Sequence, residues 1–152
     1  MSKFRWKYLA ALPFVVCVGF LLLLGKLCRL TYEQISVVFN LWLQGAVLVL
    51  SAILPAALSV ILLCRGFSLL RLLLACLLIL YALIYVWAFH RMLSHYHLPF
   101  KRAFDRCVHD LQVLARKWHT TYQIVNLLIF VLAFLLLLAM NIGLSHWIYA
   151  YL

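Results

Sequence analysis

The chain is short of acids. Only Glu33, Asp105 and Asp110 are acidic, against thirteen Lys and Arg. None of the three falls inside a long apolar run. Proton- and cation-coupled transporters keep carboxylates within the membrane, so the sequence argues against a pump of that kind. Asp105 and Asp110 are five residues apart and would point about 140° away from each other on a helix. They do not make a general acid–base pair. Glycine is scarce too: five residues, scattered, with no Gly-rich phosphate loop. The five cysteines (Cys17, Cys28, Cys64, Cys76, Cys107) are odd in number and contain no CxxC. That argues against both a disulfide framework and a redox motif. No A-x-A site follows the basic start at Lys3, Arg5 and Lys7, so the first apolar run reads as an uncleaved signal anchor.

What the chain has in excess is apolar surface. It is 69% hydrophobic over 152 residues, with a mean hydropathy of +1.13. Soluble domains are about 45–50% apolar, and a domain this small leaves a large share of its surface in water. Lipid is the natural solvent for it. A helix needs roughly 20 mostly apolar residues to cross a bilayer. Four runs qualify: 8–25, 41–64, 69–89 and 124–143. Pro55 is the expected kink in the second, and Arg65–Gly66 breaks the chain between the second and third. The expectation is an all-α integral membrane protein, one polytopic domain over 1–152 with about four transmembrane helices. Trp6 and Tyr8, Tyr85 and Trp87, Trp118 and Tyr122, and Trp147, Tyr149 and Tyr151 fall near the predicted interfaces, as an aromatic belt does.

The one substantial polar segment lies between the third and fourth runs. Pro99 suits the first turn of a helix. Phe100, Phe104, Cys107, Leu111, Leu114 and Trp118 then recur at three and four, on one side. Arg102, Asp105, Arg106, His109, Gln112 and Arg116 take the other. This pattern predicts an amphipathic interfacial helix over 99–118. Its apolar residues Phe100, Phe104, Leu111 and Trp118 are expected to dock on the membrane surface or a partner. Arg102, Arg106 and Arg116 are expected to meet anionic lipid or an acidic protein.

The basic balance itself reads as the loop charge of a polytopic protein rather than as a nucleic-acid surface. With four spans, Lys3, Arg5, Lys7, Arg65 and Arg71 share one side and the other eight basic residues share the opposite side. The positive-inside rule then favours a cytoplasmic amphipathic helix, whereas the signal-anchor start favours the reverse. A re-entrant hairpin of the second and third runs would place both basic regions together.

Apolar lipid gives helices no hydrophobic reason to associate, so small residues mark close packing. Gly45, Ala52, Ala56 and Ser59 form one stripe. Ser68, Ala75 and Ala82 repeat every seven residues, as do Asn126, Ala133 and Met140, a spacing that suits left-handed packing. These stripes are expected to join the chain's own helices, with a docked subunit as the alternative. Asn40, Gln44, Asn126 and Asn141 each need a hydrogen-bond partner in lipid.

No cofactor or metal is expected. His90, His95 and His97 form a single loose group without the further ligands a metal needs. Arg102 and His109 have a spacing that resembles the active-site pair of small helical RNases, which require a soluble bundle the chain has no residues left to build. The function expected from all this is a non-enzymatic subunit of a larger membrane complex. A bacterial inner-membrane secretion, conjugation or transport machine is the expected setting. Its partners would be the bilayer and other membrane subunits, with no nucleic acid. A self-assembling pore or a toxin or defence effector is the alternative.

Overall fold

The computed structural model describes residues 3–151, with side chains from Leu12 onward. The side chains of Lys3, Arg5, Trp6, Lys7 and Tyr8 lie outside the described residues. Five helices follow one another: α1 (Lys3–Cys28), α2 (Tyr32–Arg65), α3 (Leu69–His95), α4 (Phe100–Lys117) and α5 (Tyr122–Tyr149). The described residues contain no strand. Helices α2, α3 and α5 are long and apolar enough to cross a membrane. The shortest, with 27 residues, is about 40 Å long at 1.5 Å per residue, against a hydrocarbon core of about 30 Å. The described apolar part of α1, Leu12–Cys28, is shorter than these three.

Local chemistry sets the helix ends. Thr31 opens α2 with a capping box: its hydroxyl accepts from the Gln34 amide while the Gln34 side chain accepts from the Thr31 amide. The helix therefore starts at Tyr32, nine residues before the apolar run at 41. Thr121 caps α5 through the Ile124 amide, and the Ser68 hydroxyl accepts from the Arg71 amide at the start of α3. Helices α1 and α4 end alike. Arg29 and His119 adopt φ of 56° and 51°, and the amides of Leu30 and Thr120 reach back to the carbonyls of Gly25 and Ala115. Both are Schellman ends, closed here without the glycine that usually takes the left-handed position. Pro55 lies buried within α2. Two stretches have π-helical hydrogen bonding, Val37–Leu43 in α2 and Leu128–Ala133 in α5.

The helices gather into two compact units. The first comprises Met1–Trp42 and His95–Ala133. In it α1 meets the opening turns of α2 and α5: Gly25 lies against Ile35, Phe20 edge-on to Phe39, and Phe14 edge-on to Tyr122. Helix α4 packs on the same opening turns. Phe104 stacks edge-on to Tyr32, Phe100 lies 5.5 Å from the Trp42 ring, and Leu111 and Ala115 close on Val125.

The second unit comprises Leu43–Ser94 and Phe134–Leu152. Its core joins Ala56 and Leu62 of α2, Leu78 and Ala82 of α3, and Ile148 of α5. Large apolar side chains also point outward, Leu50, Leu77 and Leu136 each being more than 60% exposed. Such a surface is costly in water and costs nothing in hydrocarbon.

Candidate functional site

Helix α4 is the most polar element. Ala103, Leu111 and Ala115 are buried on one side, and Phe104 and Cys107 are half-buried. This side faces the chain's own helices. Lys101, Arg102, Arg106, His109, Arg116 and Lys117 are exposed on the other. Phe100 and Trp118, at its two ends, remain 37% and 50% exposed. The apolar side is thus covered in its middle and open at its ends. Arg102 and His109 are both exposed and share no bond with each other.

Asp110 ties α4 to the segment before it. Its carboxylate accepts from the Tyr96 hydroxyl at 2.9 Å and lies 3.3 Å from His95 Nε2. Arg106 donates to the His95 carbonyl at 3.0 Å. Burial, with the bond to Asp110, pushes the Tyr96 phenol above its ordinary range. Burial, with the Asp110 charge one turn away, pushes the Cys107 thiol up to about 11. Both groups are therefore neutral at physiological pH. His95 and Asp110 keep 54% and 43% of their side-chain surface exposed, so the contact between them adds little to stability.

Behind α4 lies a small polar cavity of about 20 Å3, room for one water-sized molecule. Ser36, Asn40, Tyr122 and Asn126 line it together with Cys107. The Asn126 amide donates to the Tyr122 hydroxyl at 3.2 Å. The Ser36 hydroxyl is buried and has no partner within the protein. Asn40 and Asn126, 86 residues apart in sequence, thus share one chamber.

Asn141 is used differently. It is fully buried in the second unit. Its amide donates to Ser51 Oγ at 2.8 Å and its carbonyl oxygen accepts from Tyr81 at 2.7 Å. The Tyr81 and Tyr85 hydroxyls are 2.9 Å apart, and Ser145 donates to the Asn141 backbone carbonyl. One asparagine therefore links α2, α3 and α5. Each end of its side chain is engaged in one of these ties. Sequence reasoning marked Asn141 as needing a partner but missed Ser51 and Tyr81. The available signal was that each is a hydroxyl set within an apolar run.

The small residues divide. Ala52, Ala56, Ser59, Ala75 and Ala82 are all buried in the second unit. A Cβ at Gly45 would run into the Phe89 ring. Ser68 is exposed and serves as the cap of α3. His90 and His97 are exposed, and the described residues contain no group of three metal-capable side chains. Arg91 lies over the Trp87 ring at 5.4 Å. No family model, no curated protein and no solved structure matches the chain.

Proposed function

We propose that the protein is a non-enzymatic, membrane-embedded subunit of a larger membrane assembly, of the kind found in bacterial inner-membrane secretion, conjugation or transport machines. The observation that carries this reading is the one-sided α4. Its inner side is engaged by the chain's own helices, so the Arg102, Arg106 and Arg116 side is what it offers outward. A basic helix held this way suits an acidic partner protein or anionic headgroups, each arginine near such a surface contributing about 1 kcal/mol.

Charge supports a particular arrangement of the spans. A fourth crossing by α1 would divide the basic residues five against eight. Three crossings, by α2, α3 and α5, leave only Arg65 and Arg71 on one side and the other eleven Lys and Arg on the opposite one. The positive-inside rule then has a clear answer, with α4 and the N-terminus cytoplasmic. Among the described residues, the contacts of α1 fall on the opening turns of α2 and α5, which suits this arrangement. In this arrangement α1 lies at the cytoplasmic face beside α4.

Extraction of the tagged chain in mild detergent tests the assembly. A defined membrane partner should co-purify, and charge reversal at Arg102 and Arg116 should release it. Recovery of a lone monomer from native membranes would overturn the reading.

A further inference from the structure

In the second unit, the end of α2, the start of α3 and the end of α5 line a half-open cavity of about 310 Å3. Leu62, Leu70, Leu74 and Ile148 make its walls apolar. Arg71, Trp147 and Tyr151 complete its lining, the last two with rings packed edge-on 5.0 Å apart. The size is that of a small ligand site, and the lining is that of a hydrocarbon chain rather than of a polar solute.

Arg71 supplies the charge. One of its guanidinium nitrogens, Nη1, donates to the Gly66 carbonyl at 2.9 Å. A Cβ at Gly66 would come within 2.7 Å of that nitrogen, so the glycine is what lets the guanidinium lie against the backbone. A guanidinium has five N–H groups in a fork that fits phosphate, and the carbonyl takes one. Neither chain segment of this unit contains an Asp or Glu. The cavity is therefore an apolar slot beside a cation with no carboxylate side chain in its unit to pair it. A guanidinium between membrane helices can take a headgroup phosphate in its fork. Trp and Tyr beside it are the residues of the headgroup region.

We propose that this cavity holds one acyl chain of an acidic phospholipid, with the headgroup phosphate on Arg71. The site rests on the reading that α2, α3 and α5 cross a bilayer, and not on membership of a complex. Its test uses the full chain alone, in phosphatidylcholine vesicles with a minor share of phosphatidylglycerol. One lipid at a time carries bromine on its chains, which quenches tryptophan on contact. Brominated phosphatidylglycerol should quench roughly fivefold more per molecule than brominated phosphatidylcholine, equivalent to about 1 kcal/mol. Trp147→Phe should remove the share of the excess that Trp147 reports, leaving the share of Trp118 beside the basic α4. Arg71→Gln should lower it by the same amount, while quenching by brominated phosphatidylcholine shows that the variant is inserted. Arg71→Lys should keep part of it. Excess inorganic phosphate should leave it unchanged.

Equal quenching by the two lipids in the unaltered protein would overturn the proposal, as would an excess left undiminished by Trp147→Phe or Arg71→Gln. Loss of the excess to inorganic phosphate would make this a free-anion site and overturn the lipid assignment. Quenching by neither lipid would overturn the membrane reading and the site with it. The comparison in the unaltered protein and Trp147→Phe decide the matter even if Arg71→Gln does not insert.

Discussion

Tyr81 donates its hydroxyl proton to Oδ1 of Asn141 across 2.7 Å, joining α3 to α5 at a point where the asparagine is fully buried. The bond holds two residues 60 positions apart, and the Asn141 amide extends it to Ser51 on α2. Hydrogen bonds between membrane helices contribute about 0.6 kcal/mol on average, because the separated helices also find partners. Tyr81→Phe keeps the ring and removes only the proton donor. It should cost about 0.5–1.5 kcal/mol of unfolding free energy in detergent micelles. Asn141→Ala loses both bonds and leaves Ser51 without its donor, so it should cost about 2–3 kcal/mol. A double-mutant cycle on the two should return a coupling of roughly 0.5–1 kcal/mol. Additive effects would mean that the two side chains do not meet.

Glycine substitutions should split by position. A methyl at Gly45 would enter the Phe89 ring, with Met92 close by, and overpacking of this kind costs about 1–3 kcal/mol. A methyl at Gly143 meets nothing within 4 Å. There the gain in helix propensity, up to about 1 kcal/mol, is unopposed. Thermal unfolding of Gly45→Ala and Gly143→Ala should therefore move the melting temperature in opposite directions. Phe89→Ala in the Gly45→Ala background should recover part of the loss by making room.

How much of this was legible beforehand depends on the range of the interaction involved. Helical runs at 69 and 124 were readable because hydropathy is a local property. The structure's α3 and α5 cover them, as Leu69–His95 and Tyr122–Tyr149. The opening of α2 is hidden, since Glu33, Gln34 and Asn40 dilute the hydropathy ahead of the run at 41. The capping signal Thr31–Gln34 stood in the sequence nonetheless, and it sets the true start. Partners such as Ser51 for Asn141, or Asn40 and Asn126 around one cavity, depend on how separate helices turn toward each other. A single sequence carries no period that encodes that. The π-helical stretches at Val37–Leu43 and Leu128–Ala133 have no marker residue, being ordinary apolar sequence.

Cys107 should give the first unit a specific alkaline sensitivity. Burial raises its thiol to about 11, whereas the unfolded chain has a thiol of ordinary acidity. Below the ordinary thiol range both states keep the proton, and the contribution is fully present. As pH rises above that range the unfolded state ionises first. It then binds fewer protons than the folded state, so stability falls with pH until the folded thiol ionises near 11. Cys107→Ser should flatten this part of the stability–pH curve. At pH 8, alkylation of half-buried Cys107, whose raised thiol is almost wholly protonated, should lag well behind that of exposed Cys28. Equal labelling rates would show that the α4 side bearing Cys107 is open.

The orientation makes the sharpest prediction, because three crossings and four give opposite answers at one end of the chain. Four place both termini on the same side. Three separate them, with residue 97 on the N-terminal side and residue 67 on the C-terminal side. Reporter fusions in a bacterial host should then score cytoplasmic at the N-terminus and within 96–98. They should score external at 66–68 and after Tyr151. The separation follows from a charge asymmetry of eleven basic residues against Arg65 and Arg71. Moving charge should therefore weaken it. Replacing Lys101, Arg102, Arg106, Arg116 and Lys117 with Gln, together with adding lysines beside Arg65, should produce molecules of mixed orientation. Replacing Arg65 and Arg71 alone should not, since their loss only strengthens the bias. A C-terminal fusion that scores cytoplasmic in the unaltered chain would restore α1 as a fourth crossing.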